Sequence, residues 1–581
     1  MHIEDYKCIT VNCELCSLFS NVVEWEKQAA ALQLHQQVVA SGVPNYAGCR
    51  VPLTSNFNIA YLEEKLEAYH DKEILEYIKF GWPVDHDGRE TQSTPPRNHD
   101  SATKCPGEVR KYLIKEATYN AILGPFKHNP ISSSVALSPL STREKRDSTE
   151  RRILVDMSFP PGLAVNEGID KHKYQGEDVH LTYPSIDRMT ELMVRKGRFS
   201  KLMKRDLKRA FRQFLVDPAD IRLLGYVWED HYFFDTVLAM GCRSSPYICQ
   251  RVSNMLKYLY SLEGYECVNF LDDFGNCELD ALAETAYRVL GEIMDRAGVE
   301  QSENKNCPPA VTMVFLGILL CTITMTMQVP PERLRELGTL LQEWLAKAVY
   351  ARKELESLVG KLNFVCSCVK ASRVFMARFL NALRGSSRKR GNPVTEDMRA
   401  DICWWVRYLP LYNGITVIKT VDWSMPDELM SCDACLVGCG GWSQGEFFHS
   451  TFPKFIEDMK LHINSLELLT LTVAVKLWGS KLQGKRFVVL CDNQATVMVV
   501  NSGKSRDMFM QACLRELVWH LAILDAEIRV QHILTGDNRI ADLLSRWELS
   551  QSAREEFWTQ VGDNVTEVGV NDDYFRFDHL W

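Results

Sequence analysis

Short apolar runs flank a pair of acids near the middle of the chain. Residues 267–271 have the length and composition of a strand, and a second strand is expected from Phe274. This pattern predicts a β-hairpin whose tight turn presents Asp272 and Asp273 to water. For such a pair considered alone, an ordinary hairpin tip is the simpler explanation, because Asp is a common turn residue.

Helical periodicity marks other stretches. Apolar residues recur at three- and four-residue spacing across residues 331–384, which predicts a small bundle of three helices. Further helices are expected around residues 60–80, 107–123 and 280–297. Residues 385–393, rich in Gly, Ser and basic residues, predict a linker after the bundle.

The last third of the chain alternates strands and helices. A strand that leads into a glycine turn is expected within residues 430–442, a helix at 463–478, and strands at 487–491 and 528–533. The expected order is three strands, helix, strand, helix, strand, helix. This order predicts a sheet with helices packed against it.

Four acids lie at matching ends of these elements. Asp433 and Asp492 lie at ends of two strands, Glu467 lies early in a helix, and Asp542 opens another helix. Each carboxylate alone is more simply explained as surface decoration. Central strands can nevertheless deliver the two aspartates side by side, so the four together predict a shared site.

One uncharged run, residues 312–329, is long enough to raise the question of a membrane span. Threonines alternate with apolar residues near its end, which is typical of a strand. A strand is therefore expected at residues 314–320, and no membrane partner.

Composition narrows the class of protein. The 581 residues leave room for roughly three or four domains. The net charge of −8 does not by itself indicate a nucleic-acid binder, so such a function must rest on local clusters. The 19 cysteines have no framework spacing and the N-terminus has no signal-peptide pattern, so we expect an intracellular protein, in the cytoplasm or the nucleus.

Basic residues concentrate in two stretches. Residues 141–156 predict a mobile cationic loop that feeds a strand, although a solvated charge run explains them equally well. Residues 195–212 surround Asp206 with nine cations, which predicts a local phosphate-binding surface. Asp206 could neutralise this cluster or act as a metal ligand.

Taken together, the first half resembles a retroelement reverse transcriptase, and the second resembles an RNase H domain. Asp206, Asp272 and Asp273 match the metal-binding acids of the polymerase family. Residues 270–273, Phe-Leu-Asp-Asp, match its Tyr-x-Asp-Asp motif with Phe in place of Tyr. That change removes a hydroxyl and keeps the ring, so we expect a tuned site.

The resemblance also implies residues that bind substrate. Lys145 and Arg152 are similar to the residues that hold the triphosphate, and Phe211 is similar to a steric gate against the ribose 2′-OH. Met240 and Gly241 match a Gln-Gly element, where Met puts a side-chain contact to the nucleotide in doubt. Two further matches are Lys305, similar to a lysine that protonates pyrophosphate, and a primer grip formed by Phe315, Leu316 and Gly317.

In the second half, Asp433, Glu467, Asp492 and Asp542 match the RNase H acids. His532 matches the loop histidine of that family. Residues 240–248, 358–366 and 537–546 are similar to DIRS-type retrotransposons, which mobilise with a tyrosine recombinase.

The resemblance implies an α+β and α/β multidomain fold: a right-hand polymerase with fingers, palm and helical thumb, then an RNase H-like mixed sheet with flanking helices. The expected segments are listed here in chain order: an N-terminal extension at 1–100, fingers and palm at 101–328, the thumb at 329–384, a linker or connection at 385–425, the RNase H-like domain at 426–550 and an acidic, aromatic tail at 551–581.

The function implied is RNA-directed DNA synthesis with RNase H cleavage, each using two Mg²⁺ or Mn²⁺ ions. The expected partners are an RNA template, a DNA primer, the RNA–DNA hybrid and deoxynucleoside triphosphates. The alternative is a decayed or domesticated copy that only binds RNA–DNA duplex. Clustered, mutually repelling carboxylates argue against that alternative, because a binder has no need of them.

Overall fold

The chain divides into two compact units that both combine helices with sheets. The computed structural model describes residues 14–40, 53–144, 150–179, 185–387, 390–412, 414–418, 423 and 428–577. The first unit comprises Met1–Leu192 and Phe199–Val311, and the second comprises Met193–Arg198 and Thr312–Trp581. The predicted α+β and α/β multidomain class is confirmed.

The described residues up to Val311 form the following elements. The α-helices are α1 (Glu14–Phe19), α2 (Trp25–Ala40), α3 (Ile59–Lys65), α4 (Ile74–Phe80), α5 (Asp100–Thr103), α6 (Pro106–Thr118), α7 (Ile186–Lys196), α8 (Ser245–Leu262) and α9 (Asp280–Ala297). The strands are β1 (Ile122–Phe126), β2 (Leu140–Glu144), β3 (Arg151–Val155), β4 (Lys173–Tyr174), β5 (Glu177–Asp178), β6 (Lys201–Asp206), β7 (Gly225–Trp228), β8 (His231–Asp235), β9 (Val268–Phe270), β10 (Asp273–Glu278) and β11 (Cys307–Ala310).

From Thr312 onward the described residues form a second series. The α-helices are α10 (Pro331–Ala346), α11 (Arg352–Cys366), α12 (Ala377–Gly385), α13 (Glu396–Leu411), α14 (Lys454–Glu457), α15 (Ile463–Leu482), α16 (Gln494–Ser502), α17 (Met508–Ile523), α18 (Arg539–Ser545) and α19 (Gln551–Val561). The strands are β12 (Thr312–Phe315), β13 (Ile318–Cys321), β14 (Thr326–Gln328), β15 (Val349–Tyr350), β16 (Asn392–Pro393), β17 (Ile415–Val417), β18 (Glu428–Ala434), β19 (Gly438–Ser443), β20 (Glu446–Thr451), β21 (Arg486–Cys491), β22 (Glu527–His532) and β23 (Thr566–Glu567).

The central sheet of the first unit has the strand order β11-β6-β10-β9, and its pairings are antiparallel. The predicted hairpin is confirmed as β9, a turn and β10. Met203 on β6 packs against Ala283 and Ala286, so α9 covers one part of this sheet. Burial of these apolar side chains fixes the register, because a slip by one residue would turn them to the other face.

Two helix predictions in the first unit are wrong in extent. Residues 60–80 form α3 and α4 separately, and between them Asp71 accepts hydrogen bonds from Arg251 of α8. The helix expected at 107–123 ends at Thr118, and Asn120 has a positive φ of 52°. Ile122 then pairs with Asp235 of β8, so tertiary strand pairing overrides the local helical pattern.

The single strand predicted at residues 314–320 is wrong, because β12 and β13 form a hairpin there. Leu316 and Gly317 make its turn with φ values of 49° and 81°. Both central residues have positive φ, as in the tight turns that match the twist of paired strands. No helix in the described ranges combines the length and the apolar character that a membrane span needs.

The predicted helical bundle is present as α10, α11, a 3₁₀ turn at Lys370–Met376 and α12. The linker prediction fails at its end, where β16 pairs with β15. Asn392 is buried there and its side-chain amide accepts a hydrogen bond from Ser387 N at 2.7 Å. A polar, glycine-containing stretch can therefore be ordered by its own hydrogen bonds.

The large sheet of the second unit has the order β22-β21-β18-β19-β20-β23. Strands β18, β21 and β22 are parallel, while β18, β19 and β20 pair antiparallel, which confirms the mixed sheet. The C-terminal segment joins it, because β23 pairs with β20 and Phe557 of α19 packs on Phe447 at 4.8 Å between ring centroids.

The expected glycine turn is wrong, since Gly438, Gly440 and Gly441 lie within β19. The reason is close packing: a Cβ on Gly440 would lie 2.4 Å from the Cβ of Leu544 on α18. The glycines thus let α18 approach the sheet.

Candidate active sites

The first acidic site is built by the register of β6 and β10. Asp206, the last residue of β6, is the partner of Asp273, the first residue of β10. Asp272 lies in the turn, and its carbonyl accepts a hydrogen bond from Leu207 N at 2.9 Å. Three acids that are distant in the sequence are therefore held at one end of the sheet.

Helix α8 fixes the turn that carries Asp272. Leu271 has a positive φ of 52°, which a bulky side chain rarely adopts. Gln250 Oε1 accepts a hydrogen bond from Leu271 N at 2.9 Å, and Ser253 Oγ donates one to the Leu271 carbonyl. These bonds compensate the backbone strain and make Gln250 and Ser253 positioning residues, which the sequence pattern did not reveal.

Burial and mutual repulsion weaken the acidity of this cluster. Asp206 is 3% exposed, and burial raises its pKa to about 6 against the opposing pull of Lys305. Burial also raises the pKa of Asp272, and the charge of Asp273 adds to that rise. A cation that neutralises these carboxylates therefore stabilises the cluster.

Two lysines partly neutralise the carboxylates of this first site. Lys305 Nζ lies 2.9 and 3.2 Å from the two Asp206 carboxylate oxygens. Burial works to lower the pKa of Lys305, but its hydrogen bond and charge contact with Asp206 outweigh burial and raise it. Lys204 Nζ forms an ion pair with Asp273 Oδ1 at 3.2 Å, and this buried oxygen accepts no hydrogen bond of good geometry from any described residue.

This donor set fits a hard divalent cation. It consists of carboxylates, and one buried oxygen among them accepts no hydrogen bond of good geometry within the described part of the chain. An ammonium group also lies at Asp206 in the position of a counter-ion. A bound cation would take over the neutralising role of Lys305.

The residues expected to bind nucleotide lie on several elements of the first unit. Arg152 is exposed on β3, Phe211 is half-buried in the 3₁₀ helix Ala210–Gln213, and Met240 is half-buried. Gly241 has a φ of +121°, and a Cβ there would lie 2.3 Å from the carbonyl oxygen of Val155 on β3. Lys145 lies outside the described residues.

The predicted phosphate-binding surface around Asp206 needs correction. Arg212 is buried and contacts Asp235 at 2.6 Å, and Arg209 contacts Glu116 at 2.8 Å. Arg205 donates to the Tyr287 carbonyl, and Lys208 pairs with Glu300. These cations balance acids and carbonyls inside the unit, because a buried charge requires a partner.

The predicted primer-grip residues Phe315, Leu316 and Gly317 lie in the β12–β13 hairpin of the second unit. Phe315 is fully buried, while Leu316 and Gly317 are half-buried at the turn.

The second acidic site lies on the large sheet of the second unit. Ser431 on β18 is the parallel partner of Leu490 on β21. Two residues further in sequence stand Asp433, still on β18, and Asp492, which directly follows β21. The two lie close enough for the charge of Asp492 to raise the pKa of Asp433. Glu467 on α15 and Asp542 on α18 come from helices that pack on β18.

Burial and mutual repulsion raise the pKa values of acids in this second site. Burial raises the pKa of Asp433 to about 7, and the charges of Asp492 and Asp542 add to the rise. Burial raises the pKa of Glu467 to about 9, with Asp433 and Asp492 contributing. The cluster therefore holds protons at neutral pH that a cation would displace.

Two arginines that the sequence analysis did not single out hold Asp542. Arg539 donates to its Oδ2 at 2.9 Å, and Arg546 donates to its Oδ1 at 2.7 Å. Both lie three or four residues from Asp542 on α18, so helical spacing could have found them. His532 ends β22, is exposed and pairs in register with Cys491.

The donor set of the second site also fits a metal ion. One ligand atom from each of Glu467, Cys491 and Asp492 lies within 4.8 Å of the others. The Oε2 atom of Glu467 is buried and accepts no hydrogen bond from any described residue. Only the two acids of this trio were predicted.

The known proteins similar to this chain are solved structures. No family profile matches the sequence, and no curated protein matches it. The chain is similar to the foamy viral protease-reverse transcriptase in two solved complexes with double-stranded DNA, at 15% identity in both. One has a TM-score of 0.45 and covers 85% of this chain and 85% of the viral chain. The other has a TM-score of 0.44 and covers 84% of this chain and 99% of the viral chain.

The same viral protein in complex with an RNA/DNA hybrid gives 15% identity and a TM-score of 0.43, with coverage of 85% of this chain and 65% of the other. At these values the likeness carries no argument about chemistry, which rests on the two acidic sites. The DIRS-type affiliation stays a prediction. In all three of these solved structures, the protein similar to this chain is a foamy viral protease-reverse transcriptase, at 15% sequence identity.

Proposed function

We propose that the chain is an RNA-directed DNA polymerase with RNase H activity, encoded by a retroelement of the DIRS type. One observation carries the proposal: each compact unit gathers carboxylates from separate strands and helices into one cluster, at positions that the motif resemblance specifies. Clusters of repelling acids cost stability, so a fold that builds two of them is using them to bind cations. The partners would be RNA template, DNA primer, their hybrid and deoxynucleoside triphosphates, inside the cell.

In the polymerase site, Asp206 and Asp272 would hold Mg²⁺ with Asp273 in support. Bound there, the ions supply activation of the primer 3′-OH and stabilisation of the leaving pyrophosphate. A bound cation would take over the contact that Lys305 makes with Asp206, and the ammonium group of Lys305 would then be available to hold a proton next to pyrophosphate.

Other residues of the first unit would bind and orient the nucleotide. Lys145 and Arg152 neutralise phosphate charge that grows during transfer. The ring of Phe211 selects deoxynucleotides by excluding a 2′-OH. Gly241 allows backbone to pass close to Val155 and keeps the strand that carries Arg152 in place. In the second unit, the β12–β13 turn at Leu316 would contact the primer.

In the RNase H site, Asp433, Glu467, Asp492 and Asp542 would hold a second pair of ions, whose role is to activate water against an RNA phosphodiester. His532 lies exposed at the end of β22 and can move a proton from the cleaved product. Arg539 and Arg546 would orient the Asp542 carboxylate through their hydrogen bonds to its two oxygens.

The direct test of the polymerase is incorporation of labelled deoxynucleotide on a primed RNA template with Mg²⁺. We expect extension by the wild type and none by Asp272→Asn/Asp273→Asn. Asp230→Asn is the matched control, because Asp230 is an exposed turn residue of the same unit with a φ of 60°.

Extension by the double variant at the wild-type rate would contradict the assignment of the hairpin. If folded wild type binds hybrid but neither extends nor cleaves it, the chain is the duplex-binding copy that forms the alternative.

A further inference from the structure

The RNase H acids include an unexpected neighbour, the thiol of Cys491. Its Sγ lies within 4.8 Å of carboxylate oxygens of both Glu467 and Asp492. Cys491 ends β21 and is 2% exposed, so this thiol is an inward-facing part of the site. Among the described residues, no other trio of His, Cys, Asp or Glu meets this spacing.

A second observation indicates that the trio is open to a ligand. Glu467 is only 5% exposed, and its Oε2 accepts no hydrogen bond within the described part of the chain. A buried carboxylate oxygen without a partner costs free energy. The Sγ atom accepts a hydrogen bond from Asn493 N at 3.4 Å, while burial and the charge of Glu467 raise the pKa of the thiol, so a cation is needed to bind it as a thiolate.

The ligand types select the cation. Mg²⁺ prefers oxygen donors, whereas one thiolate with carboxylates suits Zn²⁺ or another thiophilic divalent ion. Zinc binds sulfur at ~2.3 Å and carboxylate oxygen at ~2.0–2.2 Å, in a compact four-coordinate site that water can complete. The ligand atoms of the trio, within 4.8 Å of one another, can therefore contact one such ion together.

We infer that Glu467, Cys491 and Asp492 form a binding site for a thiophilic divalent cation of the Zn²⁺ class. On binding, the Cys491 thiol forms a bond from sulfur to the metal and loses its proton to solvent. Binding itself does not depend on the proposed function. Its consequence, inhibition of hybrid cleavage by an ion that captures two of the four acids, does rest on it.

The test uses Co²⁺ as a spectroscopic probe on the full-length chain. A thiolate–cobalt bond gives a charge-transfer absorption band in the near ultraviolet, which other ligands do not produce. We expect Cys491→Ser to remove one equivalent of this band relative to wild type, and Zn²⁺ to displace it. Cys403→Ser is the matched control, because Cys403 is a half-buried thiol on α13 of the same unit, and its difference spectrum should stay that of wild type.

Glu467→Gln gives an independent reading, since it keeps the shape of the side chain and removes its charge. It should weaken cobalt binding at this site. Equal bands in wild type and Cys491→Ser, or no band in wild type, would overturn the inference. Hybrid cleavage in Mg²⁺ alone distinguishes failure of this site from failure of the proposed RNase H activity. If the wild type shows the cobalt band but does not cleave hybrid, the thiophilic site is supported and the RNase H activity is contradicted. If it cleaves hybrid without the band, the RNase H activity is supported and the thiophilic site is contradicted.

Discussion

In both sites, positively charged side chains lie beside single acids and stabilise their negative charge. Lys305 contacts Asp206, and Arg539 and Arg546 contact Asp542. Burial acts in the other direction and raises the pKa of Asp206 to about 6. Each site is therefore a balance between desolvation and local positive charge, which a metal ion would tip.

Lys305→Met should shift the pH dependence of primer extension. Lys305 lowers the pKa of Asp206, so its loss should raise that pKa further, by about one unit. Because the protonated acid binds metal poorly, activity that falls as pH drops through about 6 in wild type should fall at higher pH in the variant. The measurement is the single-turnover rate against pH at a fixed Mg²⁺ concentration below saturation, where protons compete with the metal for Asp206.

Lys208→Met is the control, since Lys208 pairs with Glu300 at 3.0 Å and should leave the midpoint unchanged. A midpoint for Lys305→Met at or below that of wild type would contradict the proposed balance.

Residue types and motif spacing predicted the acids, but not most of their neighbours. Lys204 reaches Asp273 because β6 and β10 pair in one register, and Cys491 reaches Glu467 because α15 packs near β21. Such contacts depend on distant strands and helices, and no local pattern encodes them. The predicted phosphate-binding surface was wrong for Arg209 and Arg212 for the same reason. Their partners, Glu116 and Asp235, lie outside the basic stretch of sequence.

At the scale of elements, the glycines of β19 set the position of α18, the helix that carries Asp542. Gly440→Ala would put a methyl group 2.4 Å from the Cβ of Leu544. The helix must then move outward, at a cost of about 1–3 kcal/mol. We expect hybrid cleavage to fall on the order of a hundredfold, while primer extension stays near wild type.

The control is Gly569→Ala, since a Cβ there meets nothing within 4 Å. Cleavage by Gly440→Ala at the level of this control would show that α18 does not depend on the glycine.

Helices α13 and α17 are joined by a buried ion pair. Asp401 on α13 accepts from Arg378 at 3.0 Å and lies 3.3 Å from Arg515 on α17. Trp404 on α13 packs edge-on against Trp519 on α17 at 6.1 Å. The second unit thus connects its helical bundle to its large sheet through α13.

Asp401→Ala should destabilise the second unit by about 3–5 kcal/mol, because it leaves Arg515, 4% exposed, buried without its acid. Urea unfolding followed by tryptophan fluorescence measures the change. Asp397→Ala, one turn earlier and 77% exposed at the side chain, should cost less than about 1 kcal/mol. Equal losses in the two variants would refute a structural role for the buried pair.

Periodicity predicted most helices and strands where one pattern ran without interruption, as in α9 and β21. It failed where a turn interrupts an apolar run. At residues 314–320 the turn residues Leu316 and Gly317 are too few to break the pattern, and on β19 the glycines indicated a turn although they serve close packing. These features are set by tertiary contacts.

For the whole molecule, we propose two independent metal-dependent sites, one in each compact unit. The mixed α and β architecture followed from the alternation of patterns. The folding of residues 551–577 onto the large sheet did not, because an acidic, aromatic segment shows its packing partners only in three dimensions.

The most direct measurement follows both activities on one pre-annealed RNA template and DNA primer, each strand carrying its own label, with Mg²⁺. We expect that wild type extends the primer and cleaves the RNA, that Asp272→Asn only cleaves, and that Asp492→Asn only extends. Loss of both activities in either folded variant, or of neither, would contradict the claim of two separate sites.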